Sequence, residues 1–152
     1  MKVIYHCYGR AHSSVVAAHL HLGNLPMEGP VNKRQVAGLP EFDRADASQW
    51  GIPHFMGADE RGNEVYILGL ANQTPAALRA ITTMAWHLGK ADGIFLRNTL
   101  PAVGLLTKTG GFISKGLGFT TLGRPVVALG IVFSLECLRK LVTGTKEYLQ
   151  QK

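Results

Sequence analysis

The stretch from Met1 to Gly23 constrains the fold more than any other. An apolar run, Val3-Ile4-Tyr5, leads through His6-Cys7-Tyr8-Gly9-Arg10-Ala11-His12-Ser13-Ser14 into Val15-Val16-Ala17-Ala18-His19-Leu20. This order reads as a strand over Lys2–Cys7, a small polar turn, and a helix that Ser13 or Ser14 caps and that runs to Leu22, with Gly23 as its stop. Backbone N–H groups at the start of a helix have no internal partner and lie at the positive end of the macrodipole. A phosphate placed there satisfies the donors and the charge together. Gly9, Arg10, Ala11, His12, Ser13 and Ser14 are therefore the expected anion site, with Arg10 and His12 supplying charge and the two serines supplying donors.

The remaining chain alternates strands with helices. Ile52–Met56 and Glu64–Leu70 read as a hairpin around Gly57 to Asn63. Thr74-Pro75 opens a helix whose Ala77, Leu78, Ile81, Met84, Ala85 and Leu88 share a face, and Gly89 ends it. Gly93–Arg97 is a third apolar run, and Asn98-Thr99-Leu100-Pro101 reads as a cap and helix start that Gly110-Gly111 breaks. Val126–Ile131 has the composition of a central strand. Ser134 caps a last helix, with Leu135, Leu138, Leu141 and Val142 inward and Arg139, Lys140 and Lys146 outward. The segment from Asn24 to Trp50 reads as surface with one short helix. The expected fold is a single α/β domain over residues 1–152. It is a three-layer α/β/α sandwich, Rossmann-like or P-loop-like, with a mostly parallel, doubly wound sheet and the hairpin at one edge. The loop then falls at the carboxyl ends of the strands, where such folds bind ligands.

A length of 152 residues with 46% apolar content supports one core without staples. Sixteen basic against ten acidic residues favour anionic ligands, but no recognition motif of a dedicated nucleic-acid binder is present. Cys7 and Cys137 fit free thiols in a reducing, cytoplasmic setting. The apolar start is too short for a secretion signal, and Pro125–Leu135 is too short for a membrane span.

Laid on the phosphate-binding loop of nucleoside triphosphatases, residues 6–13 resemble a degenerate version. Ser13 matches, His12 stands in place of the lysine, and His6 and Ala11 replace the glycines. Cys7, Gly9 and Ser14 are similar in spacing to the loop of low-molecular-weight tyrosine phosphatases and related arsenate reductases, with Ser13 where those families carry arginine and no Asp-Pro to act as general acid. At a strand end beside a helix N-terminus, Cys7 reads as a low-pKa thiolate nucleophile assisted by Arg10 and His12, or as a small buried residue. Cys7, Gly9, Ser13 and Ser14 also resemble the phosphocysteine loop of sugar-phosphotransferase IIB subunits. Over most of its length, through Ala11–Ala18, Met56-Gly57, Asp59 and Gly62–Gly69, the chain resembles a family of uncharacterised proteins of endospore-forming Firmicutes, which implies a bacterial cytoplasmic protein and no particular activity.

Other residues have plainer readings beside functional ones. Asp59-Glu60-Arg61-Gly62 fits the Asp-x-x-Gly in which an aspartate reaches Mg²⁺ through water, and it also fits a hairpin turn. His6 and Cys7 point to opposite faces of a strand, so a shared metal would need help, with His54 the nearest candidate. His19 and His21 cannot share a helix face and read as surface or helix-end residues, and Trp86 with His87 reads as packing. Lys108 and Lys115 around Gly110-Gly111 read as a connector or a lid over an anion. Three functions follow: a protein binding a phosphorylated small molecule or nucleotide, an enzyme using Cys7 in phosphoryl or thiol chemistry, or an interaction protein with a relic loop. The residues name no cofactor and no oligomeric state.

Overall fold

The computed structural model describes residues 1–104 and 120–152, with side chains outside 105–125. Among the described residues the strands and α-helices are, in order, β1 (Lys2–Cys7), α1 (Ser13–His21), α2 (Lys33–Ala37), β2 (His54–Ala58), β3 (Glu64–Gly69), α3 (Thr74–His87), β4 (Ile94–Asn98), α4 (Thr120–Phe133) and α5 (Leu135–Gln150). The strands form one open sheet in the order β2-β3-β1-β4. β1 runs parallel to β3 and β4, and β2 pairs antiparallel with β3, so the expected edge hairpin on a mostly parallel sheet is present.

Alternation along β1 places apolar side chains on both sides of the sheet. Val3 and Tyr5 join Val15, Val16 and Leu20 of α1, Val127 and Ile131 of α4, and Leu138 and Val142 of α5 in the larger core. Ile4 joins Leu68 and Leu70 in a smaller cluster, against which Ala77, Leu78 and Ile81 of α3 pack. Only Ala85 of α3 is buried, while Met84, Trp86 and Leu88, expected to pack, are exposed. The apolar face of α3 runs past the small cluster available to cover it.

Other expectations are corrected. Val126–Ile131 is helical, part of α4, and the sheet has no strand there. Val127, Ala128 and Ile131 are all buried in the main core, and a run that is apolar on every side has the same composition in a buried helix as in a buried strand. The segment 24–50 is not simply surface, since Leu25, Val31, Val36, Leu39, Phe42 and Ala45 are buried. Arg139, expected outward, is also buried. It donates from Nε and Nη2 to Pro26 O at 3.2 and 2.9 Å and from Nη2 to Gly29 O at 2.7 Å, tying that segment to α5. Ser134 makes no capping bond to α5, because its Oγ donates to Gly130 O and accepts from Gly104 N. Leu100–Ala102 is a single 3₁₀ turn. Lys108, Gly110, Gly111 and Lys115 lie outside the described residues.

Candidate functional site

β1 lies between β3 and β4, so the chain leaves β1 to one side, builds β3, and crosses back to build β4 on the other. The carboxyl end of β1 is therefore a topological switch point, the place where loops of open α/β sheets diverge and leave a crevice. Tyr8–His12 is the loop at that end, and α1 begins directly after it.

Distant segments hold this loop on three sides. From β3, Leu70 N donates to Cys7 O at 3.1 Å and Ala71 N to Tyr8 O at 2.9 Å. The approach is close enough that a Cβ on Gly69 would lie 2.9 Å from Arg10 N and 3.0 Å from Gly9 C. From β4, Thr99 N donates to His6 O at 2.9 Å. Thr99 Oγ1 donates to the same carbonyl at 3.0 Å, so its hydrogen is used and Ser13 Oγ, 2.9 Å away, donates to it. From the 40s, Asp43 N donates to Ala11 O at 2.9 Å, and the Asp43 carboxylate meets His12 Nε2 at 3.0 Å.

The serines do not cap α1 in the expected way. The N-cap position belongs to His12, without a side-chain capping bond. Ser13 is engaged with Thr99, and Ser14 Oγ sits 3.1 Å from Cys7 Sγ in a buried pair. Among the described residues, the backbone N–H groups of Gly9 to Val15 make no hydrogen bond. Arg10 takes a left-handed conformation, φ +55°, which is uncommon for a residue with a Cβ and marks a backbone held by its surroundings. The residue is 4% exposed; Nη2 donates to Gln49 Oε1 at 2.7 Å and Nη1 to Ile52 O at 3.4 Å. Arg10 Nε is buried with no acceptor, and no carboxylate lies within ion-pair distance of the guanidinium among the described residues.

Cys7, Gly9, Arg10, Ala11, His12, Ser13 and Ser14 are thus brought together, and Asp59 is not with them. Asp59 precedes β3 in the hairpin turn, where Asn63 receives the amino group of Met1, while Cys7 pairs with Gly69 at the other end of the same ladder. Five residue steps of strand put about 17 Å between the two ends. Asp59 instead accepts from Arg61 N, Asn63 N, Asn63 Nδ2 and His21 Nε2 at 2.8–3.0 Å. His21 and His19, expected at the surface, are both buried. His21 Nδ1 lies 2.7 Å from Tyr5 Oη, and His19 lies between Pro40 O and Asn24 Nδ2. Burial pushes the pKa values of His6, His19 and His21 down, which keeps them neutral. His54 Nε2 stands 3.9 Å from Glu41 Oε2. Among the described residues no three His, Cys, Asp or Glu side chains form a metal-binding group, and no helix is long and apolar enough to cross a membrane.

Asp43, Trp50, Gly69 and Thr99 complete the loop's surroundings and were not singled out from the sequence. They come from three separate segments, the 40s with Trp50, the end of β3 and the end of β4, and only the register of the sheet and the fold of the 40s bring them to Cys7.

Fold and loop together define the class: an α/β protein with a strand–loop–helix unit at the head of its central parallel strand. Residues 2–147 match the family described as protein of unknown function (DUF3189), and the chain belongs to that family. No curated protein and no solved structure is matched.

Proposed function

We propose that the loop from Cys7 to Ser14 binds the phosphate of a phosphorylated small molecule or nucleotide. It does so within a three-layer, Rossmann-like α/β/α arrangement of a cytoplasmic protein. The observation that carries the reading is Arg10, a buried guanidinium on the loop itself with an unused Nε donor and no carboxylate partner. Buried charges in proteins are paired, and a bound anion supplies the missing partner. The free N–H groups from Gly9 to Val15 add donors at the start of α1, where the macrodipole favours negative charge. His12 and the hydroxyls of Ser13 and Ser14 surround them.

The test is thermal unfolding of the full chain in inorganic phosphate at low ionic strength. A ligand at one hundred times its dissociation constant stabilises the folded state by about 2.7 kcal/mol, which for a chain of this size raises the melting temperature by about 5–10 °C. Arg10→Met removes that rise. An unchanged melting temperature across phosphate and sulfate concentrations refutes the reading.

A second reading rests on the Cys7–Ser14 contact. An O–H group 3.1 Å from Sγ is placed to hydrogen-bond a sulfur that attacks phosphorus, so Cys7 would take the phosphoryl group of a phosphate monoester, the S–P bond forming as the ester P–O bond breaks, with His12, held by Asp43, carrying the thiol proton to the departing alkoxide. Alkylation at neutral pH, read by mass spectrometry, separates the two readings. A nucleophilic Cys7 is modified and phosphate protects it, with the exposed Cys137 as internal control. A Cys7 that stays unmodified leaves binding without chemistry at sulfur.

A further inference from the structure

The two flanks of the loop differ in character. On one stand His12 and Asp43, hydrogen-bonded to each other, above the fully buried Phe42. On the other stand Tyr8, Trp50 and Ile52. Tyr8 follows Cys7 directly, yet its side chain is 46% exposed, and its ring meets Trp50 edge-on with 5.5 Å between centroids. Trp50 lies against the loop backbone. Its Nε1 sits 3.8 Å from the position a Cβ on Gly9 would take, and its Cδ1 sits 3.1 Å from one on Gly69. Ile52 is 57% exposed, and its carbonyl receives Arg10 Nη1.

A single exposed apolar side chain is ordinary. Here an aromatic pair and an exposed isoleucine lie beside the loop whose buried guanidinium lacks a carboxylate partner, so an apolar surface adjoins the proposed anion site. Inorganic phosphate leaves that surface in water, and a sugar phosphate would set hydroxyls against it. A flat aromatic group joined to the phosphate covers it and meets Tyr8 and Trp50 with favourable ring geometry. Resting on the anion reading above, we infer that the ligand is a phosphate monoester of an aromatic group, with the phosphate in the loop and the ring on Tyr8, Trp50 and Ile52.

The experiment is calorimetric titration of the full chain with inorganic phosphate, methyl phosphate and phenyl phosphate. The expected result is phenyl phosphate binding about ten-fold or more tighter than methyl phosphate, since ring contacts and buried ring area add to a shared phosphate contribution. Tyr8→Ala and Ile52→Ser, both at exposed positions, each narrow the ratio of phenyl to methyl phosphate affinity, in which any change to the shared phosphate contribution cancels. Equal affinity for methyl and phenyl phosphate overturns the inference while the anion reading stands. A gap that persists in both variants also overturns it, because the ring then sits elsewhere. Failure of all three ligands to bind overturns the anion reading and this inference with it.

Discussion

Under the phosphate-binding role proposed for the loop, Gly69→Ala is expected to weaken phosphate binding by at least about ten-fold and to lower stability by about 1–3 kcal/mol, the usual effect of forcing one extra carbon into a filled space. The added Cβ lies 2.9 Å from Arg10 N, 3.0 Å from Gly9 C and 3.1 Å from Trp50 Cδ1. Two of these atoms are backbone of the loop, so they cannot yield by rotating a side chain. The loop must move off β3, stretching the bonds from Leu70 N to Cys7 O and from Ala71 N to Tyr8 O that hold its first residues. Donors aimed at one anion lose it when displaced by a large fraction of an ångström. Gly93→Ala is the control, because nothing lies within 4 Å of the Cβ it would add. Phosphate titration and urea unfolding of both variants give the comparison, and a Gly69→Ala protein that binds phosphate like wild type refutes this account of the loop.

The strand–loop–helix unit was legible because its signals are local. The short apolar run that β1 buries from Val3 to Cys7 and a glycine stop at Gly23, which takes φ +75°, depend on neighbours in the chain. The hairpin was legible for the same reason, with Gly62 at φ +77° in its turn. What closes the loop was not legible. Gly69, Thr99 and Asp43 reach it from 31 or more residues away in sequence, and nothing near them in the chain marks that role. Helix α1 shows a second limit. All of Ser13–His21 is buried, so the helix has no polar face on which two histidines could sit, and each finds its partner on another element instead. Val126–Ile131 fails for a different reason: only one face is buried, but the exposed face carries Val126 and Leu129, so the sequence is apolar all round and lacks the periodicity that separates helix from strand.

Asp59→Ala destabilises the protein by at least about 1–3 kcal/mol, the cost of leaving a buried donor, here the Nε2–H of neutral His21, without its acceptor. The Asp59 side chain is 3% exposed and His21 is fully buried. Burial alone pushes the Asp59 carboxyl up, but hydrogen bonds from the Asn63 side chain, from His21 and from the N–H groups of Asn63 and Arg61 outweigh it and hold the pKa at about 2. An ionised Asp59 can only accept, so His21 carries its proton on Nε2, and Nδ1 accepts from the Tyr5 hydroxyl. Neutral His21 is thus fully satisfied, and protonating it places a second hydrogen against the Tyr5 donor. Burial, joined by the nearby Lys146 ammonium, lowers the His21 pKa, and the hydrogen bond and charge of Asp59 together with Glu60 only partly offset that. The unfolded chain therefore binds this proton more readily than the folded one. The contribution of His21 is complete above its unfolded pKa of about 6.5 and is lost as pH falls through its lower folded value. His6 and His19, shifted in the same direction, steepen the loss by up to about 1.4 kcal/mol per pH unit for each proton taken up. Asp59 acts in a separate window, contributing above its unfolded value of 3.8 and losing that contribution as pH falls toward about 2. Urea midpoints measured from pH 8 down to pH 3 therefore fall below pH 6.5 in the wild type. His21→Gln, which can keep one donor and one acceptor, flattens the upper part of that fall; a pH profile unchanged by His21→Gln assigns the acid sensitivity to the other buried histidines and refutes the role given to this one.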